Sequence, residues 1–190
     1  IHVQLYGNRL NEPQELLLYH KGLTVKSLTP SEDGKSVKAV IAIAPDAPLG
    51  EHPMRLRCKD GLTYMRTFWV GQFPTVMEAR SEDKKRDLNN TFKEPQKIDL
   101  NVTVQGVADR EDDDYYQVQC KKGQRLSVEV EAMRLGRVMF DPYIAILDKN
   151  RFELAVNDDS PLLKRDCAAS IIIPEDGPYT VVIRESSYEG

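Results

Sequence analysis

The residues in this sequence best equipped for chemistry are carboxylates. Asn157, Asp158, Asp159 and Asp166 fall within ten residues of one another, and Asp112, Asp113 and Asp114 form a second run. A calcium ion takes about six to eight oxygens from carboxylates, amides and carbonyls, which loops between strands supply readily. Carboxylates held close repel one another unless a cation neutralises them. Asp158, Asp159, Asp166, Asp112 and Asp114 are therefore the expected calcium ligands, if the two groups face each other at one end of a sandwich. The competing reading makes them solvated turn residues whose side chains cap their own backbone. Asp148-Lys149-Asn150 is a poorer site, because Lys149 sets a positive charge beside it, and no EF-hand spacing is present.

Other chemistries find few residues to work with. Nucleophilic catalysis needs a nucleophile, a base and an orienting group brought together. The only histidines are His2, His20 and His52, all in the first half, and no Gly-x-Ser-x-Gly elbow occurs. The expectation is surface or capping histidines in a chain that is not an enzyme. Cys120 lies on one strand face with Tyr116 and Val118 and reads as a small core residue, while a Cys120–Cys167 bridge is open to an exported protein. The sequence has no Cys-x-x-Cys or His-x-x-x-His spacing for zinc and no glycine-rich phosphate loop. Phe68 and Trp69 alternate in direction, so one of them points away from its sheet's core. An exposed Trp69 beside Tyr64 or Met65 would suit a carbohydrate or protein contact.

Composition narrows the field further. The chain has 190 residues, 41% hydrophobic and 29% charged, which is enough apolar material for a core and enough charge for solubility. Its 26 basic and 30 acidic residues give a net charge of −4 and argue against a nucleic-acid partner. No stretch approaches the roughly 18 consecutive apolar residues of a membrane-spanning helix. The sequence starts at Ile1 without a basic and apolar leader, so it reads as a processed or excised piece whose export signal has gone.

The elements that must position these residues are strands. Apolar and polar residues alternate strictly in Met54-Arg55-Leu56-Arg57-Cys58 and in Leu126-Ser127-Val128-Glu129-Val130-Glu131-Ala132. Residues 37–43, 63–70, 98–104, 116–120, 143–147, 168–173 and 179–183 are further strand candidates, rich in β-branched and aromatic side chains. Asp33-Gly34, Asp60-Gly61, Lys122-Gly123 and Asp176-Gly177 mark turns between apolar runs, and Pro45, Pro48 and Pro53 exclude a helix from their connection. Short strands at intervals of roughly 8–12 residues predict an all-β chain of sandwich or barrel type. Residues 72–97 carry dense mixed charge and little periodicity, so they predict a connector, with room for a short helix over 78–88. The expected organisation is a β-sandwich over 1–71, the charged connector over 72–97 and a second β-sandwich over 98–190.

The second half resembles the bacterial pre-peptidase C-terminal (PPC) domain, particularly its form in exported multidomain proteins of planctomycete-like bacteria. The resemblance is carried by Val104-Gln105-Gly106, Asp112-Asp113-Asp114-Tyr115-Tyr116, Lys121-Lys122-Gly123-Gln124-Arg125-Leu126 and Glu131-Ala132-Met133-Arg134-Leu135-Gly136. Phe140-Asp141-Pro142, Ile146-Leu147-Asp148, Asn157-Asp158-Asp159, Asp166 and Pro174-Glu175-Asp176-Gly177-Pro178-Tyr179 continue it. Where the family opens with a Glu-Pro-Asn run, this sequence has Glu78-Ala79-Arg80. The first half is similar to the immunoglobulin-like module that precedes such domains, through Gly7-Asn8-Arg9-Leu10, Lys21-Gly22-Leu23, Ala44-Pro45-Asp46-Ala47-Pro48-Leu49-Gly50 and Phe68-Trp69-Val70-Gly71.

The resemblance implies a jelly-roll-type sandwich, an accessory module of secreted or surface proteins, some relatives of which bind protein or polysaccharide and some calcium. Family members continue past the Tyr188-Glu189-Gly190 at which this sequence stops into one more strand, and a sandwich lacking it would offer an unpaired edge to a neighbouring copy. The resulting expectation is a non-catalytic extracellular or cell-surface binding, adhesion or scaffolding module of an exported bacterial protein, contacting protein or polysaccharide. Two alternatives are the subunit of a surface filament closed by strand exchange and an accessory domain of a secreted peptidase or other hydrolase.

Overall fold

The computed structural model describes residues 1–83, 86–108, 112–136 and 140–186. The chain is all-β and divides into two compact units, Ile1–Gln72 and Phe73–Gly190. Among the described residues no helix is long and apolar enough to cross a membrane. Tyr188-Glu189-Gly190, and with them the question of a missing final strand, lie outside the described residues.

The first unit is built from β1 (His2–Tyr6), β2 (Pro13–Leu18), β3 (Leu23–Pro30), β4 (Ser36–Ile43), β5 (Gly50–Cys58), β6 (Gly61–Leu62) and β7 (Arg66–Val70). β1 and β3 flank β4 in one antiparallel sheet, and β5 is central in the other, with β2 along one side and β6 and β7 sharing the opposite side. Side chains alternate across a strand, so β4 buries Val37, Ala39 and Ile41 while β5 buries His52, Met54, Leu56 and Cys58. The two rows meet in one core with Leu10 and Leu16. Full burial of one such aliphatic side chain contributes about 1.5–3 kcal/mol. The hairpin between β3 and β4 closes through Gly34 at φ +64° and the Asp33 carboxylate, which accepts from Ser31 Oγ at 2.6 Å and from the Lys35 amide at 3.0 Å.

The second unit contains β8 (Thr75–Met77), β9 (Gln96–Lys97), β10 (Thr103–Gln105), β11 (Asp113–Cys120), β12 (Arg125–Glu129), β13 (Pro142–Leu147), β14 (Glu153–Asn157), β15 (Ala168–Ile172) and β16 (Gly177–Glu185). Five strands form a sheet in the order β14-β13-β16-β11-β9, antiparallel except for the β9–β11 pair. β12 and β15 make an antiparallel pair, and β8 and β10 a parallel one. Tyr116, Val118, Cys120, Ile144, Ile146, Tyr179 and Val181 of the large sheet pack with Leu126 and Ala169 of the β12–β15 pair and with Cys167. The other face of the large sheet carries a smaller cluster. Ala145, Leu147 and Val182 pack there with Tyr115, Tyr143 and Phe92.

Phe92 belongs to the segment expected as a strandless connector, and that expectation is corrected. Within 72–97, β8 pairs with β10, β9 pairs with β11, and Glu78, Asp87 and Asn89 are buried. The described part of 78–88 is not helical. It folds back on itself through the Arg80–Asp87 bridge and the Ser81 N to Arg86 O and Leu88 N to Ala79 O hydrogen bonds of 2.8 and 2.9 Å. The strand expected over 98–104 is replaced by β9 and β10, separated by Asn101 in the left-handed region at φ +58°, a conformation asparagine tolerates better than most residues.

No cysteine is bridged, so the Cys120–Cys167 disulfide is not formed, and all three thiols are buried. Burial pushes each thiol up, Cys167 to about 12, with the neighbouring Asp166 charge adding to it. Thiolate is the reactive form. At pH 8 an alkylating reagent is expected to leave the folded chain unmodified and to label Cys58, Cys120 and Cys167 in denaturant. Fewer labelled thiols in the unfolded chain would reveal a bridge.

Candidate metal centre

The structure separates the five carboxylates expected to share an ion. Asp166 is fully buried, and hydrogen-bond donors occupy both of its oxygens. Oδ1 accepts from the Met133 amide at 2.7 Å, and Oδ2 accepts from the Ala132 and Arg134 amides at 3.1 and 3.3 Å and from Arg134 Nε at 2.7 Å. A carboxylate so committed, beside a guanidinium, holds a turn and not a cation. Arg134 reaches on to Glu129 Oε1 at 2.6 Å and the Val130 carbonyl at 3.0 Å. Asp158 and Asp159 are exposed, and their charges help to raise the Asp141 carboxyl, after burial. Asn157 ties their loop by donating to the Asp159 carbonyl at 3.3 Å and accepting from the Ala168 amide at 3.2 Å. The Asp148 carboxylate caps its own turn, accepting from the Asn150 and Phe152 amides at 2.8 and 2.9 Å.

Asp112 and Asp114 face a different set of partners. β11 buries alternate residues, so Asp114 points the same way as Tyr116, Val118 and Cys120. There its carboxylate meets Glu78, the residue after β8, and Asp87, on the Arg80 bridge. One oxygen of each lies within 4.8 Å of the others. All three are at most 7% exposed, and Asn89 beside them is not exposed at all. Glu78 is fixed from several sides: Oε1 accepts from the Tyr116 hydroxyl at 2.7 Å, and Oε2 accepts from the Val107 amide at 3.1 Å and lies 3.7 Å from Arg80. Gly106 provides the room, because a Cβ there would stand 2.9 Å from Glu78 Oε1. Asn89 Nδ2 donates to Asp114 Oδ1 at 3.1 Å, and Asn90 Nδ2 donates to Asp112 Oδ1 at 2.8 Å. Asp87 Oδ1 and Asn89 Oδ1 are buried without a hydrogen-bond partner.

The cluster's electrostatics follow from enclosure. Burial, then the charge of Glu78 and the hydrogen bond with it, push the Asp114 carboxyl up to about 9. Burial and the Asp114 charge push the Tyr116 phenol up as well. The three carboxylates form a hard-oxygen group, with Asp87 Oδ1 unused and the Asn89 amide beside Asp114. Asp114 is the one of the five expected ligands placed in this set. Glu78, Asp87 and Asn89 were missed because they lie in the segment read as a connector.

In the first unit Trp69 is half-buried, whereas Tyr64 is 85% exposed with Leu62 and Met65 beside it in sequence, also exposed. The backbone that presents Tyr64 is fixed by Thr63. Its amide donates to the Leu56 carbonyl at 3.0 Å, its hydroxyl accepts from the Leu56 amide at 3.0 Å, and the same hydroxyl donates to the Tyr64 carbonyl at 3.1 Å.

No family model and no curated protein matches the chain. Among solved structures, the SGBP-B protein of the Bacteroides ovatus mixed-linkage glucan utilization locus, in complex with a mixed-linkage heptasaccharide, is 12% identical at a TM-score of 0.31, over 97% of this chain and 70% of that one. Lac15 from a marine microbial metagenome is 11% identical at a TM-score of 0.23, over 97% of this chain and 48% of that one. At these scores nothing about ligand or activity passes from those proteins to this chain.

Two outcomes follow from this geometry. Asp166→Ala removes one of the two carboxylates that hold the largely buried Arg134 guanidinium, together with the acceptor of three amides, and is expected to cost about 3–5 kcal/mol, read by denaturant unfolding. In EDTA, a carboxyl raised to about 9 in the folded chain keeps its proton where the unfolded chain, near 3.8, has lost it. Stability therefore falls as pH rises through that window. Thermal unfolding between pH 5 and 8 should show this slope, and Asp114→Asn should flatten it.

Proposed function

We propose that the chain is a non-catalytic binding module acting outside the cytoplasm, which contacts polysaccharide or protein at a cell surface through exposed loops. The observation that carries this reading is the Leu62-Thr63-Tyr64-Met65 stretch, a bulged edge segment alongside β5 where β6 passes into β7. An almost fully exposed aromatic ring is held on a backbone that Thr63 pins twice to β5. Exposed aromatic and apolar side chains on an ordered loop lose little entropy when they meet a sugar face or an apolar protein patch. The acidic residues of the second unit do different work. Calcium held by Glu78, Asp87, Asp114 and the Asn89 amide would fix the 73–90 segment to β11, as a structural ion and not a reactive one. The PPC-like reading belongs to this proposal. Val104-Gln105-Gly106 and the Asp112–Tyr116 run, which carried the resemblance, converge in the structure on Glu78.

The test has two readouts. Millimolar calcium is expected to raise the melting temperature, EDTA to reverse the rise, and Asp87→Asn to abolish it; a silent titration removes the ion from the proposal. Tyr64→Ala, which should leave the melting temperature within about 1 °C because the ring contacts solvent, is expected to weaken retention on insoluble or immobilised polysaccharides at least tenfold. Equal retention of both chains on every such polymer and on extracellular-matrix protein would discard Tyr64 as the contact.

A further inference from the structure

The structure pairs two histidines of the first unit that lie far apart in the sequence. Tyr19 N donates to the Pro53 carbonyl at 3.3 Å, just past the Leu18–Met54 pair of β2 and β5, and this carries His20 to the side of His52. Their ring centres are 5.2 Å apart, with the planes at 71°. His52 is 1% exposed and His20 is exposed. We infer that His20 and His52 form a site for a borderline transition-metal dication, zinc foremost, whose remaining coordination positions are filled by water.

The tautomer of His52 supports this. Its Nε2 lies 2.6 Å from the Pro48 carbonyl oxygen, which can only accept, so Nε2 carries the hydrogen. In the neutral ring Nδ1 is then a bare lone pair, and that atom is buried without a partner. A ring nitrogen bonded to a backbone carbonyl with its lone pair free on the other side is the arrangement in which proteins hold metal-ligating imidazoles. The spacing agrees. With a metal–nitrogen bond of about 2.0 Å and a ring centre about 1.2 Å behind the nitrogen, two imidazoles at a tetrahedral angle hold their centres about 5.2 Å apart. The His20 side chain makes no hydrogen bond among the described residues and can turn a nitrogen toward the metal from the solvent side. Pro48 and Pro53 stiffen the connection that sets His52, so one of the two ligands is pre-organised. The preference is for zinc, copper or nickel, since imidazole nitrogen suits these ions and the all-oxygen cluster of the second unit suits calcium.

The test uses the whole chain in saturating calcium, so that the carboxylate cluster gives no response of its own. Zinc chloride titrated by calorimetry is expected to bind with a stoichiometry of about one and to raise the melting temperature by several degrees. Cobalt(II) in its place should give visible d–d absorption that zinc displaces. His20→Ala, on an exposed side chain and checked for unchanged circular dichroism, should abolish both signals, whereas His2→Ala should keep them. Absence of saturable zinc heat, or identical zinc binding in His20→Ala, would overturn the site and leave the two rings as an edge-on aromatic contact.

Discussion

Three carboxylates enclosed within 4.8 Å of one another repel, and much of the second unit's organisation turns on how the repulsion among Glu78, Asp87 and Asp114 is relieved, the Asp114 carboxyl being pushed up to about 9 by burial and the Glu78 charge. Their sources explain why. Glu78 and Asp87 belong to the charged segment that opens the unit, while Asp114 projects from β11, the strand beside β16 in the large sheet. Whatever neutralises the cluster therefore joins that segment to the sheet. Tyr116 extends the effect inward, because its ring lies in the main core while its hydroxyl holds Glu78. A proton on Asp114 serves its contact with Glu78, while Asp87 and Asn89 each keep one buried oxygen without a hydrogen-bond partner.

Asp166 solves the same physical problem by another route. It is as deeply buried as any residue of the acidic cluster, yet three amides and a guanidinium surround it, so its negative charge is matched by donors from a single turn and from Arg134. Burial alone thus says nothing about metal binding. What separates the two sites is the identity of the neighbours. Around Asp166 they are N–H groups, and around Asp114 they are largely other oxygens, with the amide of Asn89 as a donor.

The strands of the cores were legible because a one-sided strand writes its burial into alternate residues, as β4, β5 and β12 do. β8 and β9 are too short for a period to show, and β2 and β3 carry partly exposed apolar residues that blur it. The segment before β10 hid its role for a different reason. Its buried residues are mainly polar, and Phe92 is its main apolar contribution to a packed face, so composition suggested solvent. One signal for Asp114 was present nonetheless. The alternation that puts Cys120 on the face of Tyr116 and Val118 puts Asp114 there too, and a carboxylate on an inward face needs partners from elsewhere in the chain. His20 and His52 had no comparable signal, since cross-strand neighbours share no fixed spacing in sequence.

The arrangement of layers bears on where recognition can occur. The large sheet of the second unit is packed on one face by the β12–β15 pair, Phe92 packs among the sheet's own Ala145, Leu147, Val182, Tyr115 and Tyr143 on the other, and the first unit's two sheets close on each other. Loops and strand edges are frequent places of contact with other molecules, and such a segment is useful for this only where its backbone is held. Thr63 meets that condition for Tyr64 by fixing the stretch between β6 and β7 to β5 while the ring stays in solvent. Ser31 and Asp33 hold the β3–β4 turn just as firmly but with polar groups bonded to one another, which leaves little there for a partner to take up. Rigidity is common to both segments, and the exposed aromatic ring is what distinguishes the one suited to recognition.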